Sequence, residues 1–164
     1  MLRRVACFKG CECGVKTLIL GIGNPILSDD AVGCRVAQKL EEKLRGRGDV
    51  VVKETSLSGL SLLEEMAGYE RLIIVDAIQT KGGKPGAIYK LAPEDFKIGH
   101  MAIIHDLGLF SALEMGRKLG MDMPHEVIIF AIEAKDMETF SEECTPEVEE
   151  SIPRAAEVVM KEIG

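Results

Sequence analysis

Gly21-Ile22-Gly23-Asn24-Pro25-Ile26-Leu27-Ser28-Asp29-Asp30-Ala31-Val32-Gly33 is the stretch whose reading decides the fold. The apolar run Val15-Lys16-Thr17-Leu18-Ile19-Leu20 leads into it, and an amphipathic run from Val32 to Leu44 leads out. Together they read as strand, glycine-rich turn and helix. The turn sets two carboxylates, Asp29 and Asp30, where the helix begins. The first turn of a helix has unsatisfied N–H groups and a partial positive charge, so it favours acids. One acid is expected to serve as a cap. The other can face the crevice beyond the end of the strand, where open α/β sheets bind ligands.

Gly21-x-Gly23 also looks like half of a dinucleotide fingerprint. The third glycine is missing, because Ile26 occupies its position. Pro25 removes a backbone donor that a pyrophosphate would use, and acids at the helix entrance repel phosphate. A Rossmann-like nucleotide-binding protein is therefore the weaker alternative.

Working outward, Val32, Val36, Leu40 and Leu44 form one apolar helical stripe that stops at Gly46-Arg-Gly48. Asp49 to Thr55 reads as a second strand and Leu60 to Ala67 as a short helix with Leu60, Leu63 and Met66 or Ala67 as its apolar positions. Arg71 to Ile78 is a strong strand whose apolar run breaks at Asp76. Ala87 to Leu91 alternates as an edge strand does. A helix is expected from His105 to Leu119, and a buried strand over Val127 to Ile132. The last helix opens with Thr145 as cap and Pro146 at its first position, with Val148, Ile152, Ala156, Val159 and Ile163 as its stripe. Strands alternating with helices predict a doubly wound, mainly parallel α/β sheet with one antiparallel edge strand.

Composition narrows the function. The chain has 164 residues, 46% of them hydrophobic, enough for one domain with a buried sheet. The formal net charge of −7 and the lack of a long basic run argue against nucleic acid or an anionic membrane as main partner. No stretch approaches the length that spans a bilayer, and Met1 to Lys16 has no apolar core, so a cytoplasmic location is expected. Residues 1–14 are read as a mobile leader and 15–164 as one domain. The leader holds Cys7, Cys11 and Cys13. Soft ligands cluster in this way, but no histidine or second cysteine pair nearby completes a tetrahedral metal site. Cys34 and Cys144 read as small core residues.

Three residues could meet. With the first and third strands adjacent, Asp30 and Asp76 would flank the topological switch point, and His105, at a helix start, would enter from the same edge. Two carboxylates and an imidazole suit divalent nickel, zinc, manganese or iron with positions left open. Each also has a plain structural role open to it: Asp30 as part of a helix start, Asp76 as a turn former, and His105 as a helix-start residue with Asp106 as the cap; Asn24 can simply shape the turn. His100 and His125 read as loop residues.

These residues resemble a known family, the maturation endopeptidases of [NiFe] hydrogenases. The opening signature Gly21 to Gly33, the block Ile73-Ile-Val-Asp76-Ala and the block Ile104-His105-Asp106-Leu-Gly-Leu109 follow in the family's order, and the likeness runs from Val15 onward. The resemblance implies an α/β/α fold with a twisted five-stranded sheet. It implies that Asp30, Asp76 and His105 contact a metal, nickel supplied by the substrate protein, with zinc or cadmium able to occupy the same place. It implies one cut that frees a short C-terminal extension from a nickel-loaded large-subunit precursor. Ala31 stands where many relatives have glycine.

Three mechanisms follow. The substrate's nickel could dock on the three residues and position the tail, with a carboxylate as general base. A protein-borne metal could act instead, although His-Glu-x-x-His is missing. Or the chain could check for nickel without cutting, since no serine or cysteine nucleophile with a partner base is evident.

Overall fold

The computed structural model describes residues 16–98 and 107–164. The cysteine leader, His100, His105 and Asp106 lie outside the described residues.

β1 (Thr17–Ile22) is buried along its whole length. A 3-10 turn, Ser28–Ala31, passes directly into α1 (Val32–Lys43). β2 (Val50–Thr55) follows, then a 3-10 turn (Gly59–Leu62) that runs into α2 (Leu63–Met66). β3 (Arg71–Ile78) and β4 (Ile88–Leu91) precede another 3-10 segment (Pro93–Ile98) and α3 (Leu107–Lys118). β5 (Glu126–Glu133), α4 (Pro146–Glu149) and α5 (Ile152–Ile163) complete the chain.

The sheet has five strands in the order β2-β1-β3-β5-β4. The first three pairings are parallel, and β4 runs antiparallel to β5 at the edge, as its alternating pattern predicted. β1 therefore sits between β2 and β3, which makes the end of β1 a switch point. Alternate residues of the buried strands face opposite layers. Ile19, Ile73, Val75, Phe130 and Ile132 pack against the stripes of α1 and α5. Leu18, Leu20, Leu72, Ile74 and Ile129 pack against α3 and the segment ending in α2. Two apolar layers clamp one sheet, so the fold is α/β/α.

Two local expectations are corrected. Leu60 does not enter the core. It is 58% exposed, because the chain takes a 3-10 turn there and only Leu62 and Met66 reach inward. Thr145 is not a helix cap by its side chain. Its hydroxyl donates instead to Asp29 Oδ2 at 2.9 Å. The last helix is also divided into α4 and α5. Pro153, in the first turn of α5, has no N–H for the carbonyl one turn earlier, and a new helix starts there.

α1 lies unusually close to the strands. A Cβ on Gly33 would sit 2.2 Å from the Ile22 carbonyl oxygen and 2.3 Å from that of Val75. A Cβ on Gly21 would sit 2.3 Å from the Gly33 oxygen. Only hydrogen fits at either place. Gly33→Ala, which in an exposed helix would stabilise, should here destabilise by about 1–3 kcal/mol through overpacking. Thermal denaturation of the purified variant checks this, and an unchanged or raised midpoint would refute the packing account.

Candidate active site

The turn after β1 separates its two adjacent acids. Asp29 is fully buried and turns away from the crevice. Its Oδ2 accepts the N–H groups of Lys135 at 2.8 Å and Asp136 at 2.9 Å. Its Oδ1 accepts the Thr145 N–H at 2.6 Å. The Thr145 hydroxyl completes the set. Asp29 thus joins the turn to the loop after β5 and to the start of α4. The expectation that one acid caps the helix is corrected: Asp29 is a cross-link between distant segments, and neither the 3-10 turn nor α1 has a side-chain cap bond. Ser28, just before it, has a φ of 44°, a left-handed conformation that a serine holds only under constraint.

Asp30 is the other acid. It is buried, and its Oδ2 accepts the Asn24 N–H at 2.9 Å. Asn24 in turn accepts the Ile26 N–H through its side chain, so the turn is closed on itself. Gly23 lets the backbone of Asp30 approach, since a Cβ there would lie 2.0 Å from the Asp30 carbonyl oxygen. Among the described residues no lysine or arginine pairs with Asp30.

Asp76 lies inside β3, two residues before its end, and is also buried. Its Oδ1 accepts the N–H of Ala77 at 2.8 Å. It shares a strand parity with Ile74 and Ile78, which face the layer containing α3. That is the helix whose N-terminal approach carries His105, although His105 itself is outside the described residues. Among the described residues, no group of three or more His, Cys, Asp or Glu is arranged to hold a metal ion.

Cys34, in the first turn of α1, reports on both acids. Burial pushes its thiol up to about 11, and the charges of Glu54, Asp76 and Asp30 push the same way. The thiol therefore feels the negative charge of residues on β2, β3 and the turn after β1. Its Sγ lies 3.6 Å from the Gly23 oxygen. A thiol so strongly protonated is no nucleophile.

Two acids were missed in the sequence. Glu54 stands at the end of β2 and takes a hydrogen bond from Gln38 at 3.0 Å. Glu133 ends β5 and is 2% exposed. It accepts the Thr80 N–H at 2.6 Å and the Thr80 hydroxyl at 2.8 Å, and Gly83 lies against its carboxylate. Glu133 thus anchors the loop after β3. An acid at the end of an apolar strand was the available signal in both cases.

The sequence model of the family described as "HycI: Hydrogenase maturation protease" matches residues 34–162. This chain belongs to the hydrogenase maturation protease family. The hydrogenase 2 maturation protease of Escherichia coli K12 is 32% identical over 148 residues, covering 89% of each chain. The solved hydrogenase maturating endopeptidase HybD from E. coli superposes with a TM-score of 0.74 at 31% identity, covering 90% of this chain and 91% of that one. The [NiFe] hydrogenase maturation protease HybD from Thermococcus kodakarensis gives 0.69 at 25% identity, covering 89% and 97%. The chain is a peptidase of this family, built on the same fold.

The geometry separates the two adjacent acids by experiment. Asp29→Ala removes a charged acceptor and leaves buried donors unpaired, and should cost roughly 2–4 kcal/mol in denaturant unfolding. Asp30→Asn keeps an acceptor for Asn24 and should cost far less. Equal losses would contradict the assignment.

The buried thiols give a pH-dependent outcome. Burial, with Asp29 and Glu149 adding to it, pushes Cys144 up to about 12. Both folded values stand above the ordinary 9.0, so the protonated thiols stabilise the fold below that pH. That contribution disappears as pH rises through about 11 for Cys34 and about 12 for Cys144. Iodoacetamide near pH 9.0 should modify Cys34 and Cys144 only after denaturation, read peptide by peptide in a mass spectrum. Rapid modification of both in the native protein would refute it.

Proposed function

We propose that this peptidase removes the C-terminal extension of a nickel-loaded [NiFe] hydrogenase large-subunit precursor, and that the substrate's nickel docks on Asp30, Asp76 and His105. The observation that carries the reading is the burial of Asp30 and Asp76 at the switch point between β1 and β3. Buried carboxylates are costly unless they are hydrogen-bonded, paired or offered to a cation. Asp30 spends one oxygen on the turn and, among the described residues, has no ion-pair partner.

In this reading the precursor brings its own metal, and the enzyme supplies an incomplete ligand set. Oxygen and imidazole donors with open positions accept nickel, and zinc or cadmium by the same chemistry. Docking places the tail against the crevice, so cleavage waits for metal insertion. One of the carboxylates takes the proton of the attacking water as general base. Cys34 does not attack, because its thiol is held protonated. Partner and substrate are the same protein, and neither nucleic acid nor membrane is required. We place the reaction in the cytoplasm, which suits a chain with free, buried thiols at Cys34 and Cys144.

Asp30→Asn, Asp76→Asn and His105→Ala should each abolish tail removal while circular dichroism and melting stay near wild type. A size shift on gels, with nickel-loaded and nickel-free precursor side by side, is the measurement. Cleavage of the loaded form alone supports substrate-borne nickel. Equal cleavage of both forms, stopped by a chelator, would replace it with a protein-borne metal. Binding of the loaded form without cleavage would replace it with a nickel check. Wild-type processing by all three variants would remove the site.

A further inference from the structure

β2 is the edge strand on the side of the sheet opposite β4. Its inner side is settled by two bonds. The Thr17 N–H donates to the Asp49 oxygen, and the Gly23 N–H donates to the Thr55 oxygen. In a strand the N–H and C=O of one residue point to the same side, and the side alternates along the chain. Residues 49, 51, 53 and 55 therefore serve the ladder with β1. Val50, Val52 and Glu54 turn their N–H and C=O groups to the open edge, and no described strand takes them up.

That edge is the floor of a groove. Ala37 and Glu41 of α1 form one wall and Glu65 of α2 the other, with Val52, Lys53 and Glu54 between them. Its volume is about 350 Å³. A strand edge flanked by helices is the geometry in which an extended peptide adds itself to a sheet. β2 also ends beside the turn that follows β1. Thr55, at its upper end, is bonded through its oxygen to Gly23, and the turn from Gly23 carries Asp30.

We propose that the open edge of β2 binds the substrate's extended C-terminal tail as an added strand, guiding it toward Asp30. The proposal rests on the function proposed above for its occupant and adds where and how that tail is held. The lining specifies the peptide's chemistry. Three glutamates, Glu41, Glu54 and Glu65, face one lysine, Lys53, whose Nζ is already held by Glu65 at 2.8 Å. Val52, partly exposed, offers a small apolar contact. A tail with lysine or arginine alternating with small apolar residues would satisfy both. The same charged residues discourage a second copy of the edge from pairing with itself.

The test adds nickel-free precursor, which stays uncut in this reading, to the full-length wild-type protein and follows amide exchange by NMR. Precursor binding should slow exchange of the Val52 and Glu54 amides by about tenfold or more, since those groups gain a strand partner. Binding with unchanged exchange at both would overturn the proposal. In turnover assays with the wild-type active site, Glu41→Lys should raise KM about tenfold and leave kcat within about twofold. An unchanged KM would also overturn it. If the precursor neither binds nor is cut, the proposed substrate fails. A synthetic peptide of alternating lysine and valine then tests the edge alone: protection of the same two amides supports the groove, and none removes it.

Discussion

The close approach of α1 to the strands is the constraint on which the remaining geometry depends. Gly21 and Gly33 let the helix backbone rest almost on the carbonyls of Ile22 and Val75. A side chain at either position would lift the helix and widen the space between β1 and β3. The turn from Gly23 to Ala31 spans this junction, so its two acids take their positions from that backbone contact together with the bonds that Asp29 makes. Core stripes on both faces of the sheet then hold the junction in compression.

Within that frame, neighbouring residues of the same type do different work. Asp29 spends its carboxylate inward on backbone donors from two distant segments. Asp30, one position later, spends a carboxylate oxygen on the neighbouring Asn24 N–H. The 3-10 turn makes the division possible, because it rotates successive side chains by about a third of a circle. The left-handed Ser28 is the local strain that this arrangement requires. Cys34 lies beneath, its thiol kept neutral among carboxylates, a filler that adds no further charge.

Much of this was legible in the sequence. The strand–turn–helix unit, the alternation of elements and the antiparallel edge strand at Ile88–Leu91 follow from hydrophobic period and glycine placement. Asp30 and Asp76 stood out because each interrupts an apolar or turn pattern at a strand end, and topology brought both to one edge. What could not be read were partners distant along the chain. Thr145 carries every local mark of a cap, yet its hydroxyl serves Asp29, more than a hundred positions away. Leu60 fits a helical stripe, but the short segment begins as a 3-10 turn and the period shifts. Glu133 drew no notice in the sequence, since its attachment to Thr80 depends on how the intervening loop folds back.

The Asp29 cross-link also orders events in time. Its bonds to Lys135 and Thr145 span 106 and 116 positions. A closure over such a separation forms late, because the entropy of bringing the ends together must be met first. During translation, the first carboxylate turn emerges long before the residues that will hold it. A chain that ends before residue 135 holds the Asp29–Asp30 turn without this cross-link. Asp29 is therefore clamped only once the segment that carries Thr145 is in place.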